Sequence, residues 1–177
     1  MTEEKFQILK EEYIDHIKDF ITNTGELFPH ISLFADVIGE SGENDKPALI
    51  HIPIPDGYMD SSEKKEELVN QVIPEIAEKV KEQFDTKAIA WSSEAWMRKA
   101  DKDSSLENWQ SLPKKEVVII MIESDVETTT ILYEIKRKGK QVDKHGDLID
   151  IVELVLVEDN QPDKVEGIFS GLLKKFK

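Results

Sequence analysis

The sequence predicts an α+β fold: a mostly antiparallel or mixed six-stranded sheet with about three helices packed on it, in the order α-β-β-α-β-β-β-β-α. Three observations predict it. Apolar residues recur at the three- and four-residue spacing of a helix in three places, and in strand-like runs in six. Strands outnumber helices and most links are short, which favours hairpins over the long crossovers that parallel pairing needs. The chain has 177 residues, 39% of them hydrophobic, enough for one domain spanning 1–177, with no internal repeat or linker to suggest a second.

Taken in order, residues 3–22 carry Phe6, Leu9, Tyr13, Ile17, Phe20 and Ile21 on one stripe of an amphipathic helix, which should end near Asn23 and Gly25. Pro29 blocks further helix. His30–Ile38 then reads as a strand, Gly39 to Pro47 as a turn-rich connection, and Ala48–Ile54 as a second strand. Pro53 has no N–H to give to a ladder, so that strand should sit at an edge or end there. Asp60 with Glu63 is the expected cap of a second helix whose stripe runs from Leu68 to Phe84. Pro74 removes one of its hydrogen bonds and should kink it or split it in two.

Four more strands are expected at Lys87–Arg98, Glu116–Glu123, Thr128–Arg137 and Leu148–Val157. Val117–Ile122 is apolar on both faces, so its strand should be central and covered on both sides, by helices or by a second copy in a homo-oligomer. Asp163 and Glu166 should cap a last helix with Val165, Ile168, Phe169, Leu172, Leu173 and Phe176 facing the core.

Charge narrows function. The chain holds 37 acidic and 23 basic residues, a net −14, which speaks against nucleic acid as a partner. Lys136-Arg137-Lys138-Gly139-Lys140 stands out as an expected basic hairpin tip. Cysteine is absent, which removes thiolate metal sites and cysteine nucleophiles and leans toward a reducing compartment. The start, Met1-Thr2-Glu3-Glu4-Lys5, has no apolar signal core, and the longest apolar run is six residues against about 20 for a membrane helix. A cytoplasmic protein with no membrane partner is expected.

Candidate chemistry begins with the histidines. His30 and Asp36 fall on one face of a strand, with His51 opposite if the hairpin register allows. Six residues of strand span about 20 Å, so one metal cannot touch both His30 and Asp36, and no metal or cofactor is expected there. Asp125 followed by Glu134-Ile135-Lys136 resembles the aspartate and Glu-x-Lys of the restriction-endonuclease-like superfamily. That likeness implies a metal-dependent hydrolase or nuclease, the alternative reading. Extended chain would hold those two carboxylates about 30 Å apart, and no Gly, Pro or Asn between them offers a turn. Walker, Gly-x-Ser-x-Gly and Gly-x-Gly-x-x-Gly signatures are missing.

Two stretches are more suggestive. In Ala90–Arg98, alternation puts Ser92, Glu94, Trp96 and Arg98 on one strand face and Trp91, Ser93, Ala95 and Met97 on the other. Glu94 and Arg98 flanking Trp96 would frame a polar pocket beside an aromatic wall; as a packing residue, Trp96 would instead anchor the core. The sixteen residues Lys99–Lys114 are long for a loop and contain Trp109, a residue type enriched at binding hot spots. Trp91-Ser-Ser-Glu-Ala-Trp-Met97, followed by Leu112-Pro-Lys-Lys-Glu-Val-Val118, resembles uncharacterised bacterial and phage proteins with a Ser-Glu-Ala-Trp strand. The resemblance implies no activity, only that Ser93, Glu94 and Trp96 belong together. The expectation is therefore a non-catalytic binding or interaction domain. Its ligand or partner, a protein or small molecule, would be met by Ser93, Glu94, Trp96, Arg98 and Trp109.

Overall fold

The structure is a computed structural model. It describes residues 2–38, 44–55, 57–98, 111–125, 127–143, 145–160 and 171–177. Helix α1 (Glu3–Thr24) starts where Thr2 accepts a hydrogen bond from the Lys5 N–H, with Glu3 and Glu4 placed against the positive end of the helix dipole. It stops at Gly25, whose φ of 82° lets its N–H reach back to the Ile21 carbonyl. A side chain at Gly25 would also collide with the Asp150 backbone, its Cβ falling 2.8 Å from that nitrogen. The helix end is thus cut to fit against the last strand.

Six strands follow: β1 (His30–Ile38), β2 (Asn44–Pro53), β3 (Phe84–Met97), β4 (Lys115–Ser124), β5 (Thr128–Val142) and β6 (Leu148–Asn160). All neighbours are antiparallel. Their order across the sheet is β2-β1-β3-β4-β5-β6, so β1 sits inside its own hairpin partner and the chain crosses over β1 before β3 is laid down. β2 is an edge, as Pro53 requires, and β4 is interior, with Val117, Val118, Ile120 and Ile122 buried.

Each sheet face has its own core. Over one, α1 packs Phe6, Tyr13, Ile17 and Ile21 against Phe34, Ala88, Ala90, Val118, Ile120, Ile131 and Tyr133. Over the other, Leu68, Val69, Ile73 and Ala77 pack against Ile31, Leu33 and Ile89 together with Leu172, Leu173 and Phe176. The helix carrying the second set is interrupted as Pro74 predicts: α2 (Ser62–Glu67) widens through a π turn at Leu68–Val72 before α3 (Ile73–Lys81). Among the described residues no helix is long and apolar enough to cross a membrane.

Several expectations are corrected. With α2, the π turn and α3 taken as one continuous helix, the described residues hold two helices, not about three. The chain end forms a 3-10 turn at Leu172–Lys175 which still buries Leu172, Leu173 and Phe176; residues 161–170 lie outside the described residues. The second helix is capped by Ser61, accepting from the Lys64 N–H, not by Asp60. Residues 136–140 are strand, not a hairpin tip; the β5–β6 turn is closed farther on, by the Asp143 N–H donating to the Asp147 carbonyl. The strand is held there by ion pairs across the ladder, such as Lys138 with Glu153.

Candidate functional site

Strand register does the first part of the assembly. His30 and Ser32 share a face of β1; β2 sets His51 opposite Ser32, and β3 sets Ser92 opposite His30. Helix α1 crosses above them and adds Tyr13 and, one turn on, His16. The His16 and His51 rings are 5.1 Å apart between centroids, and the His30 and His51 rings 5.7 Å. The Tyr13 ring stacks on His51 at 6.3 Å and meets His30 edge-on at 6.1 Å.

Beneath the rings lies a buried hydroxyl layer. Ser32 Oγ is 2.8 Å from His51 Nδ1, and Ser92 Oγ is 3.2 Å from His30 Nε2. His30 Nδ1 faces the Phe28 carbonyl at 3.1 Å, which requires that nitrogen to carry the proton and donate. The Tyr13 hydroxyl is enclosed against Ser32 and Ser92 without a well-aligned hydrogen bond, and burial pushes it up to about 12. Above the rings opens a cleft of about 440 Å³, walled by Phe20, Phe28, Pro29, Pro53 and Ile54.

Electrostatics disfavours charge on two of these rings. Burial, and then the neighbouring imidazoles, hold His30 and His51 below the ordinary histidine value. The unfolded chain therefore takes up protons at a higher pH than the folded one. Stability is fully present above about pH 6.5 and is lost as pH falls through the lowered folded values. Urea denaturation at pH 7.5, 6.5 and 5.5 should give a falling free energy of unfolding. The His30→Gln variant should show a shallower fall, and identical slopes would remove His30 from the effect.

Chemically, neither serine at this site is an exposed nucleophile. Ser32 and Ser92 make contacts resembling a serine–histidine pair, yet both are fully buried under the rings where no substrate atom reaches. Among the described residues, no group of three or more His, Asp and Glu has an arrangement that could hold a metal ion. The imidazoles explain this locally, because both nitrogens of His30 and one of His51 face inward to Phe28, Ser92 and Ser32. Asp36 is buried at the far end of β1, beside Pro47 and Asp85 in register, away from His30.

The nuclease-like carboxylates stay apart as well. Asp125 lies in the β4–β5 turn and pairs with Lys177. Glu134 faces Val117, about 25 Å along the ladder, and pairs with Lys115. A turn does exist, closed by the Ser124 N–H donating to the Glu127 carbonyl, but it leaves Glu134 far down the returning strand.

Of the residues singled out in the sequence, Ser93 is buried and donates to the Glu94 carbonyl. Trp96 is 66% exposed, so the expectation that it anchors the core is overturned: it stands opposite Glu116 near the end of β3. Arg98 is half-buried just past that strand, and Trp109 lies outside the described residues. Glu94 does not frame a pocket for Trp96. Its Oε1 accepts the Leu27 N–H at 2.7 Å and its Oε2 lies 3.5 Å from Arg137 Nη2. Burial pushes its carboxyl above the usual glutamate value, while the Leu27 N–H and Arg137 oppose that. Through Leu27 it fixes the segment whose Phe28 and Pro29 wall the histidine cleft.

His16 is the residue that sequence reasoning missed. The signal was present: it follows Tyr13 by three positions at the border of the helix stripe. No family model matches this chain, and neither a curated protein nor a solved structure matches it.

Proposed function

We propose that the protein is a non-catalytic binding domain whose ligand is a small molecule held in the cleft between α1 and the β1–β2 edge. One observation carries this reading: three imidazoles from three separate elements converge at an apolar-walled cleft, over a hydroxyl layer that fixes the rings of His30 and His51. A cleft of a few hundred Å³ with aromatic walls and few convergent polar groups is the usual form of a small-molecule site. The buried serines supply orientation and no accessible nucleophile, which supports binding without turnover.

The exposed Trp96 supports a competing surface, suited to a protein partner. A screen of small aromatic molecules by NMR, with histidine and tryptophan side chains labelled, separates the two. Binders should move the His16, His30 and His51 ring resonances and leave the Trp96 indole unmoved. Binders that move the Trp96 indole alone would overturn the cleft reading.

A further inference from the structure

Resting on that reading, we propose that the cleft selects a neutral aromatic molecule bearing a hydroxyl, the phenol class, and releases it as the imidazoles are protonated. The walls choose the body of the ligand. Phe28 is exposed at 58%, and with Phe20, Pro29 and Pro53 it offers flat apolar surface on which an aromatic ring stacks.

The ring nitrogens choose the head. His30 has both nitrogens engaged, by Phe28 and by Ser92. His51 has Nδ1 engaged by Ser32, which leaves Nε2 without a partner among the described residues; His16 likewise has no hydrogen bond there. The mouth therefore presents two open imidazoles at 5.1 Å between centroids. A neutral imidazole offers one lone pair or one N–H at such a position, according to its tautomer. A hydroxyl both donates and accepts from a single atom, so it serves two such rings at once. A carboxylate can only accept, and it must also approach a chain of net charge −14. An ammonium can only donate.

Protonation undoes the match, because an imidazolium has no lone pair. The titratable groups facing the mouth are Tyr13 and His16 from α1, His30 from β1 and His51 from β2. From β3 comes the Ser92 hydroxyl, and the next carboxylate on that strand, Glu94, is taken by Leu27 and Arg137. No carboxylate among the described lining residues compensates charge on the rings.

Three probes of one shape test this on the full chain by calorimetry and histidine NMR: 2-naphthol, 2-naphthoate and 2-naphthylmethylamine. At pH 7.5 the naphthol should bind tightest, and at pH 5.5 it should weaken about tenfold, the loss of about one hydrogen bond. His51→Ala should reduce naphthol binding at pH 7.5. His51→Gln, whose amide donates and accepts but does not titrate, should restore binding and flatten the pH profile. Tighter binding of naphthoate than naphthol, or naphthol affinity unchanged by pH, overturns the ligand class and leaves the cleft as a binding site. Failure of all three probes to move any histidine resonance overturns the cleft reading itself.

Discussion

Replacing Phe34 by alanine is expected to cost about 3–5 kcal/mol of folding free energy, the range for a buried aromatic removed from a packed core. Phe34 is fully buried on β1 under α1. Its ring meets Phe6 edge-on at 5.8 Å and Tyr13 edge-on at 5.7 Å, so it is the floor on which both helix aromatics rest. The neighbours across the β1–β3 ladder are small, Ala88 facing it and Ala90 nearby in the same core, and neither can swing in to fill the void. Loss of transfer energy and loss of contact therefore add. Tyr13 also stacks on His51, so the variant should disturb the histidine rings as well as stability. Urea denaturation followed by tryptophan fluorescence gives the first, and histidine NMR the second. Phe34→Leu, which keeps most of the volume, should cost less than about 1.5 kcal/mol. Equal losses for both variants would mean that the cavity is not what matters.

The elements were legible where period alone decides them. The α1 stripe, the doubly apolar β4 and the break before Pro74 all follow from local spacing, and each stands within a few residues of its expected bounds. What failed depends on where one element stops covering another. Trp96 has the composition of a core anchor, but the β3 face it shares with Glu94 lies by then at the end of the ladder, and its side chain faces solvent. Lys136–Lys140 has the composition of a turn, yet acidic residues on β6, among them Asp150 and Glu153, supply counter-charges that let β5 continue to Val142. The histidine site was half legible. His30 and His51 meet because the hairpin places Ser32 against His51, a register the sequence permits without specifying. His16 stands at the border of the α1 stripe, and it joins them through the docking angle of that helix, which tertiary packing sets. Glu94 is engaged by Leu27 and Arg137, 67 and 43 residues away, partners that its sequence neighbourhood does not reveal.

Arg137 is the residue on which the far half of the site's support converges, and Arg137→Ala is expected to cost about 2–4 kcal/mol at pH 7. Its guanidinium grips Glu116 with two nitrogens, at 2.9 and 2.7 Å, and reaches Asp150 at 2.9 Å and Glu94 at 3.5 Å. It also donates to the Gly25 carbonyl at 2.6 Å. One side chain on β5 thereby ties β3, β4 and β6 to the end of α1. The last turn of α1 contains no basic residue, so Arg137 supplies from the sheet the positive charge that a helix C-terminus favours. Its side chain is 29% exposed, and solvent screening keeps the expected loss below that of a fully buried pair. Truncation leaves three carboxylates facing one another, with only the more distant Lys140, 3.9 Å from Asp150, as a described cation beside them. Their repulsion raises their proton affinity in the folded state, so the loss should be greatest above about pH 6 and shrink as pH falls below about 5. Arg137→Lys keeps the charge without the two-pronged grip and should recover only part of the loss. Lys138→Ala, which breaks an exposed pair with Glu153, should change stability by less than about 0.5 kcal/mol and serves as the control. A loss at Arg137 no larger than at Lys138, or one that does not shrink in acid, would show that the three carboxylates are solvated independently and that the arginine is not the tie between sheet and helix.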